Sequence, residues 1–295
     1  MLNFLPSSII LIISIILYVT NIIIFSLLVL PFAILKFIIP IQIWRDFMSK
    51  VLTSITTTWA NLNTIIMLLT KKIEFDIQME GDYSKKKSYF VISNHQAWTD
   101  ILILLELLNR KIPYFRFFLK DSLKKIPLMG MVWWALDYPF MKRYSKEFLK
   151  KNPHLKGKDI EATKKACEKF KNIPVTIANF PEGTRFNKEK HKKQNSPYKH
   201  LLLPKAGGLA IVLSSIELET ILDVTIIYHN NFSLKYFLSG ELKKVTIIVK
   251  KIEITEDLIG DYINDLDFKK GFQKRINEIW ESKDKLIEKV KSEKL

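Results

Sequence analysis

The sequence predicts an α/β fold: a mixed, largely parallel sheet flanked by helices, with a helical anchor embedded in a membrane at the N-terminus. Three observations carry that prediction. No charged side chain occurs before Lys36. Beyond residue 70, short apolar runs of strand length alternate with longer stretches of helical period. The 295 residues suffice for one large domain plus an anchor, and the single cysteine excludes an intrachain disulfide framework. The expected division is therefore 1–69, an anchor and an interfacial helix, and 70–295, one catalytic-sized domain.

The anchor comes first. From Ile9 to Leu35 the chain is Ile, Leu, Val, Phe and Ala, interrupted only by Ser14, Tyr18, Thr20, Asn21, Ser26 and Pro31. As a helix this run reaches roughly 40 Å, more than the roughly 30 Å of bilayer hydrocarbon. It is too long for a signal peptide and lacks a basic segment before it. Pro31 and Pro40 leave two geometries open: a tilted span, or a kinked helix or shallow hairpin that does not cross. Lys36, Arg45 and Lys50 all follow the run, which places the rest of the chain on the cytoplasmic side. Residues 44–70 form a second amphipathic helix with Trp44, Phe47, Leu52 and Trp59 on its apolar face. It lies at the membrane interface or packs on the domain.

The domain elements follow in order. Ile73, Phe75, Ile77 and Met79 alternate with polar residues, the pattern of a half-buried strand. Tyr89 to Ile92 is a buried strand, and Ile101 to Leu108 a helix. Pro113 to Leu119 is an aromatic strand. Leu123 to Leu136 is a helix that Pro127 and Gly130 break, and Asp137 to Arg143 another strand. Helices are expected over Tyr144 to Lys151 and Lys158 to Asn172, a strand over Pro174 to Phe180, and a basic loop from Asn187 to Lys199. A helix opens near Leu203 and runs to about Ser215. Strands cover Leu222 to Tyr228 and Val245 to Ile254, and a long amphipathic helix covers Phe268 to Val290.

The net charge is +16, and Lys142 to Lys199 holds 17 Lys or Arg against 6 Asp or Glu. Nucleic acid, an anionic membrane surface or an anionic substrate can each answer such a charge. No RNA-binding block, zinc finger or helix-turn-helix pattern is present, so nucleic acid is set aside as a partner. No metal-ligand cluster is evident, and Cys167 lies in an amphipathic helical pattern as a small packing residue.

Two stretches carry chemistry. The first is Asn94-His95-Gln96-Ala97-Trp98-Thr99-Asp100, between a strand and a helix. On one continuous helix, five steps would turn His95 and Asp100 about 140° apart. They meet only if the chain turns between them, with Thr99 or Asp100 at the helix N-terminus. Asp100 can then hold one imidazole nitrogen and leave the other free as a base. Otherwise the stretch is a surface loop with a helix cap. The second is Phe180-Pro181-Glu182-Gly183-Thr184-Arg185, with Glu182 placed 87 residues after His95. Arg185, Arg143 and Lys205 can hold a phosphate, Glu182 can accept from a substrate hydroxyl, and Gly183 lets backbone approach a ligand. Lys205 with Gly207 and Gly208 makes an anion site or only a turn. No G-x-S-x-G elbow is present, and Ser93 lies on the strand side of His95, so no enzyme serine is cast as nucleophile.

In that order and at that spacing, the two blocks resemble those of the glycerolipid acyltransferase family, which includes the 1-acyl-glycerol-3-phosphate acyltransferases. The resemblance covers residues 70 to 230. It implies transfer of a fatty acyl chain from acyl-CoA or acyl carrier protein to a lysophospholipid, with no cofactor or metal. It makes His95 and Asp100 the catalytic pair, and it gives Glu182, Gly183, Thr184, Arg185 and Arg143 to the acceptor's phosphate and glycerol. The stretches 134–145, Gly157-Lys158-Asp159 and Gly260-Asp261-Tyr262-Ile263 look like the bacterial, inner-membrane YihG-type branch. One departure is Leu222-Asp223-Val224-Thr225-Ile226, where many members carry a proline; chain-length preference therefore does not carry over. The expected acceptor is 1-acyl-glycerol-3-phosphate, with lysophosphatidylglycerol or another lysolipid as the alternative. A lipid-binding membrane protein without catalysis is the reading from a different class.

Overall fold

The computed structural model describes residues 2–141, 161, 164–165, 167–168, 170 and 173–293. Its first two helices, α1 (Ser7–Ile38) and α2 (Gln42–Thr70), form an antiparallel hairpin. The Leu2 N–H bonds Leu69 O at 2.9 Å at the open end, and the Trp44 indole N–H reaches Leu35 O at 3.1 Å near the bend. α1 continues through Pro31. Its buried residues, among them Ser14, Tyr18, Asn21, Phe25 and Val29, recur at helical spacing and make one face. The Asn21 amide donates to Asn63 Oδ1 of α2 at 2.8 Å across that face. Ile12, Ile16, Ile23, Ile24 and Leu27 point outward and are exposed. The polarity of a soluble surface helix is thus inverted, with polar groups paired inside and apolar groups outside. Thr53, Thr56 and Thr57 of α2 donate their hydroxyls to carbonyls four residues back, which satisfies them without leaving the helix.

The strands are β1 (Glu74–Met79), β2 (Tyr89–Ser93), β3 (Phe115–Phe117), β4 (Leu119–Lys120), β5 (Phe140–Met141), β6 (Thr176–Asn179), β7 (Thr220–Tyr228) and β8 (Lys244–Glu253). Six of them make one sheet in the order β1-β8-β7-β2-β6-β3. Every neighbour is parallel except β7 and β8, so the sheet is mixed and mostly parallel, as expected. β4 and β5 pair separately as a short parallel ladder. Further helices are α3 (Thr99–Leu108), α4 (Met129–Ala135), α5 (Lys188–Gln194), α6 (Gly207–Leu213), α7 (Leu234–Leu238) and α8 (Leu266–Ser292).

Strand period two sorts the core into two layers. Tyr89 and Val91 of β2 join a core with Leu52 of α2, Leu104 of α3 and Val224 of β7. Phe90 and Ile92 face the other way, against Leu209 of α6 and Phe272 and Trp280 of α8. α1 and α2 share the first core, through Val29, Ala33, Leu52 and Ala60.

Several segments differ from expectation in extent. The helix over Leu123 to Leu136 is a 3-10 turn (Asp121–Lys125) followed by α4. The break falls at Leu128, with φ 60°; Gly130 lies within the first turn of α4, where a Cβ would collide with Lys124 O. Of the strand expected over Asp137 to Arg143, only β5 is a strand within the described residues; Asp137 has φ 59°. Arg143 and the helix over 144–151 lie outside the described residues, as does most of 158–172. The helix expected from Leu203 starts only at Gly207. The segment before it is held as a loop, with Leu203 N bonded to Gln194 Oε1, Lys205 N to Pro181 O and Ala206 N to Gln273 Oε1. Inside the basic loop sits α5, capped by Asn187 and closed by Asn195 in the left-handed region.

Candidate active site

Parallel strands deliver their C-terminal ends to one edge of a sheet, where ligands commonly bind. β2 ends there at Ser93, β6 at Asn179 and β7 at Tyr228. Asn94 fastens the first of these loops: its amide donates to Ile226 O and accepts from Ile226 N, both at 2.9 Å. The chain then turns and enters α3 at Thr99. That turn brings His95 Nδ1 to 2.8 Å from Asp100 Oδ2. Asp100 is fully buried, and the same oxygen accepts Gln96 N at 2.6 Å and Ala97 N at 2.9 Å. The loop between the two residues is therefore folded around the carboxylate. The imidazole also stacks on Phe180, with centroids 4.0 Å apart and planes 16° from parallel, and Phe180 stacks on Phe117. Nδ1 is committed to Asp100, which leaves Nε2 for a substrate proton.

The second block closes against the first. Phe186 N donates to His95 O at 2.7 Å. Gly183 takes φ 70°, a value that favours glycine, and its N–H bonds Phe180 O to close the turn. Glu182 points inward and is 1% exposed. Its Oε1 accepts His95 N at 3.1 Å and its Oε2 accepts Leu202 N at 3.2 Å, so one carboxyl joins three loops. Burial pushes its pKa to about 8, against the pull of those N–H groups and of Lys283. Lys283 of α8 is itself fully buried, 2.6 Å from Asp223 and bonded to Val224 O at 2.7 Å.

An apolar cavity of about 650 Å³ opens beside His95, a size suited to a small-molecule or lipid-chain ligand. Phe25 and Val29 of α1, Trp59 of α2, Leu105 of α3 and Phe117 of β3 help form its walls. Gly183, Thr184 and Arg185 line it too, with Arg185 lying over the Trp98 indole at 5.0 Å. Lys190 Nζ donates to Thr184 Oγ1 at 2.6 Å and to Arg185 O at 3.2 Å.

The structure thus brings His95, Asp100, Gly183, Thr184 and Arg185 together. Glu182 sits behind them with its oxygens taken by backbone donors, and neither it nor Lys205 lines the cavity. Lys205 is exposed, with its N–H on Pro181 O. Arg143 is outside the described residues. Cys167 is buried and its thiol pKa is pushed up to about 12, which suits packing rather than attack. Residues the sequence reading passed over are Asn94, Trp98, Phe180, Tyr228 and Lys283. Asn94, Trp98 and Phe180 stood inside the quoted stretches; Tyr228 and Lys283 gave no signal except a strand end and a helix position.

Among the relatives that match part of the chain are three acyltransferases. They are 1-acyl-sn-glycerol-3-phosphate acyltransferase epsilon of Mus musculus, 24% identical over 187 residues (57% of this chain and 48% of that protein), 1-acyl-sn-glycerol-3-phosphate acyltransferase 3 of Arabidopsis thaliana, 26% identical over 211 residues (64% and 53%), and the gamma form of Mus musculus, 25% identical over 224 residues (69% and 56%). The matched part spans about half the length of these relatives. The crystal structure of the 1-acyl-sn-glycerophosphate acyltransferase PlsC from Thermotoga maritima superposes with a TM-score of 0.54 at 18% identity, covering 97% of this chain and 96% of that one, and so shares the fold. The acyltransferase family model matches residues 76–229, which hold the whole loop system around His95 and just over half of the sequence: the chain belongs to the acyltransferase family.

Proposed function

We propose that the protein is a membrane-associated O-acyltransferase that moves a fatty acyl chain onto the sn-2 hydroxyl of a lysophospholipid, 1-acyl-glycerol-3-phosphate first among them. The observation that carries this reading is the pair of partly exposed His95 and buried Asp100, opening on an apolar cavity walled by α1 and α2. The donor is an acyl thioester, acyl-CoA or acyl carrier protein. His95 Nε2 takes the acceptor's hydroxyl proton while the oxygen attacks the thioester carbonyl carbon. The C–S bond breaks, the imidazolium returns its proton to the leaving thiolate, and Asp100 stabilises the imidazolium in between. No acyl-enzyme forms. Arg185, held by Trp98, meets the acceptor phosphate with Thr184 beside it, and Arg143 is assigned to the same phosphate. Glu182 acts as a tie between loops.

The bilayer supplies the acceptor and receives the product. The outward apolar face of α1 supports lipid contact, and the α1–α2 hairpin supports the non-crossing geometry, since Leu2 returns to Leu69. Lys36, Arg45 and Lys50 support a cytoplasmic site at a bacterial inner membrane. Residues 134–145 support the YihG-type branch.

Purified protein in detergent, given palmitoyl-CoA or oleoyl-CoA and a panel of lysophospholipids, tests the reading by thiol release. Release should require one lysolipid and fall roughly 10² to 10⁴-fold in His95→Ala. Release without acceptor would mark a thioesterase. No release with any pair, acyl carrier protein donors included, would leave a lipid-binding protein.

A further inference from the structure

We propose that Tyr228 is a positioning residue for His95, acting through Asp100, so that the working unit is a chain of three side chains. This rests on the acyl-transfer reading above. Tyr228 ends β7 and is 3% exposed, and its hydroxyl donates to Asp100 Oδ1 at 2.5 Å. The two oxygens of Asp100 are therefore used differently. Oδ2 takes Gln96 N, Ala97 N and His95 Nδ1, which sets where the carboxylate sits. Oδ1 takes the phenol, its one donor among the described residues.

The phenol competes with the imidazole for the carboxylate's charge. By bonding Oδ1 it stops the carboxyl from rotating away from Nδ1. The role requires a protonated phenol. Burial, and then Asp100 itself, raise the Tyr228 pKa well above that of an ordinary tyrosine, so it stays a donor. Phe232 stacks on the ring at 4.9 Å and 15° and holds its plane. The other titratable or charged groups around His95 are Glu182 and Arg185 from the loop after β6, and Lys283 of α8 behind Glu182. Of all these, only Tyr228 and His95 bond Asp100 through a side chain among the described residues.

Tyr228→Phe keeps the ring and removes the hydroxyl. The full chain in detergent, labelled with ¹⁵N-histidine, gives the His95 titration midpoint by NMR, assigned by its loss in His95→Ala. In Tyr228→Phe the midpoint should rise by about half to one pH unit, because the carboxylate becomes more basic. In the thiol-release assay kcat at neutral pH should fall about tenfold, acceptor KM should stay within about twofold, and the acid limb of the pH profile should move up with the midpoint. Phe232→Leu, which loosens the ring and keeps the hydroxyl, should leave the midpoint in place. If Tyr228→Phe does not fold, replacement of tyrosine by 3-fluorotyrosine makes a stronger donor and should lower the midpoint. An unchanged midpoint overturns the proposal, as does a raised KM with unchanged kcat. A shifted midpoint in a protein that transfers no acyl group would sink the acyl-transfer reading and leave the Tyr228 assignment standing.

Discussion

Asp100 accepts four hydrogen bonds on two oxygens, and Glu182 accepts two more from backbone N–H groups. At this scale the loops around His95 are organised by buried carboxyls rather than by regular structure. Removing one such acceptor strands its donors. Glu182→Ala should cost about 2–5 kcal/mol, since the His95 and Leu202 N–H groups both lose their partner. Denaturant unfolding measures that loss; a raised acceptor KM at unchanged stability would instead make Glu182 a substrate contact. The pH dependence has a defined sign. Glu182 has a folded pKa of about 8 against an ordinary 4.5. Between those values the folded state holds a proton that the unfolded state has released. Its contribution to stability therefore declines as pH rises from about 4.5 through 8. Glu182→Gln should flatten that decline, and parallel stability–pH curves for the two proteins would refute the assignment.

α8 shows what a single element contributes. Its apolar stripe, Phe272, Ile276, Ile279 and Ile287, covers the sheet face opposite α1 and α2. Within that stripe Lys283 pairs with Asp223 at 2.6 Å under the β7 strand, while Asp284 caps Lys199 N and His200 N at 2.8 Å each. The helix thus braces both β7 and the segment after the second block. Breaking one side of a buried pair leaves the other charge uncompensated, so Lys283→Met should cost about 3–5 kcal/mol, and Lys283→Met with Asp223→Leu should recover most of it. Thermal unfolding of both variants decides; a double variant no better than the single would show that the lysine's bonds to Val224 O and Thr225 Oγ1 dominate. α5 makes the opposite point. Its seven residues have no apolar period, and its caps, Asn187 and Asn195, define it instead.

Among the described residues, most of the exposed large apolar side chains lie on the outer faces of α1 and α2. α1 is the one described helix long and apolar enough to cross a membrane, yet 22% of its most apolar window is buried against the protein. Ile16→Glu and Ile23→Glu alter exposed positions on that surface. Each should weaken co-sedimentation with anionic phospholipid vesicles more than tenfold, since a charge in hydrocarbon costs about 2.5–3.5 kcal/mol. Lys285→Glu, on exposed α8 surface, is the control. Equal vesicle binding by all three would exclude α1 from lipid contact.

The sequence by itself determined the apolar helix, the alternation of strands and helices that makes the mixed sheet, and the two blocks that carry the chemistry, because these depend on local period and residue type; that the two blocks work together came from their resemblance to a family. Five residues and the pitch of a helix set the condition for His95 and Asp100 to meet, a turn between them, and the folded chain meets that condition. Tertiary structure alone decided three matters. It turned Glu182 inward, because two loops far apart in the chain both offer it N–H groups. It brought Tyr228 to Asp100 across 128 residues, and Lys283 beneath β7. It placed Arg185 on Trp98 beside a cavity whose walls come from α1, α2 and the sheet together. Such contacts leave no periodic trace, since each joins single side chains whose separation along the chain is set only by how the sheet orders its strands.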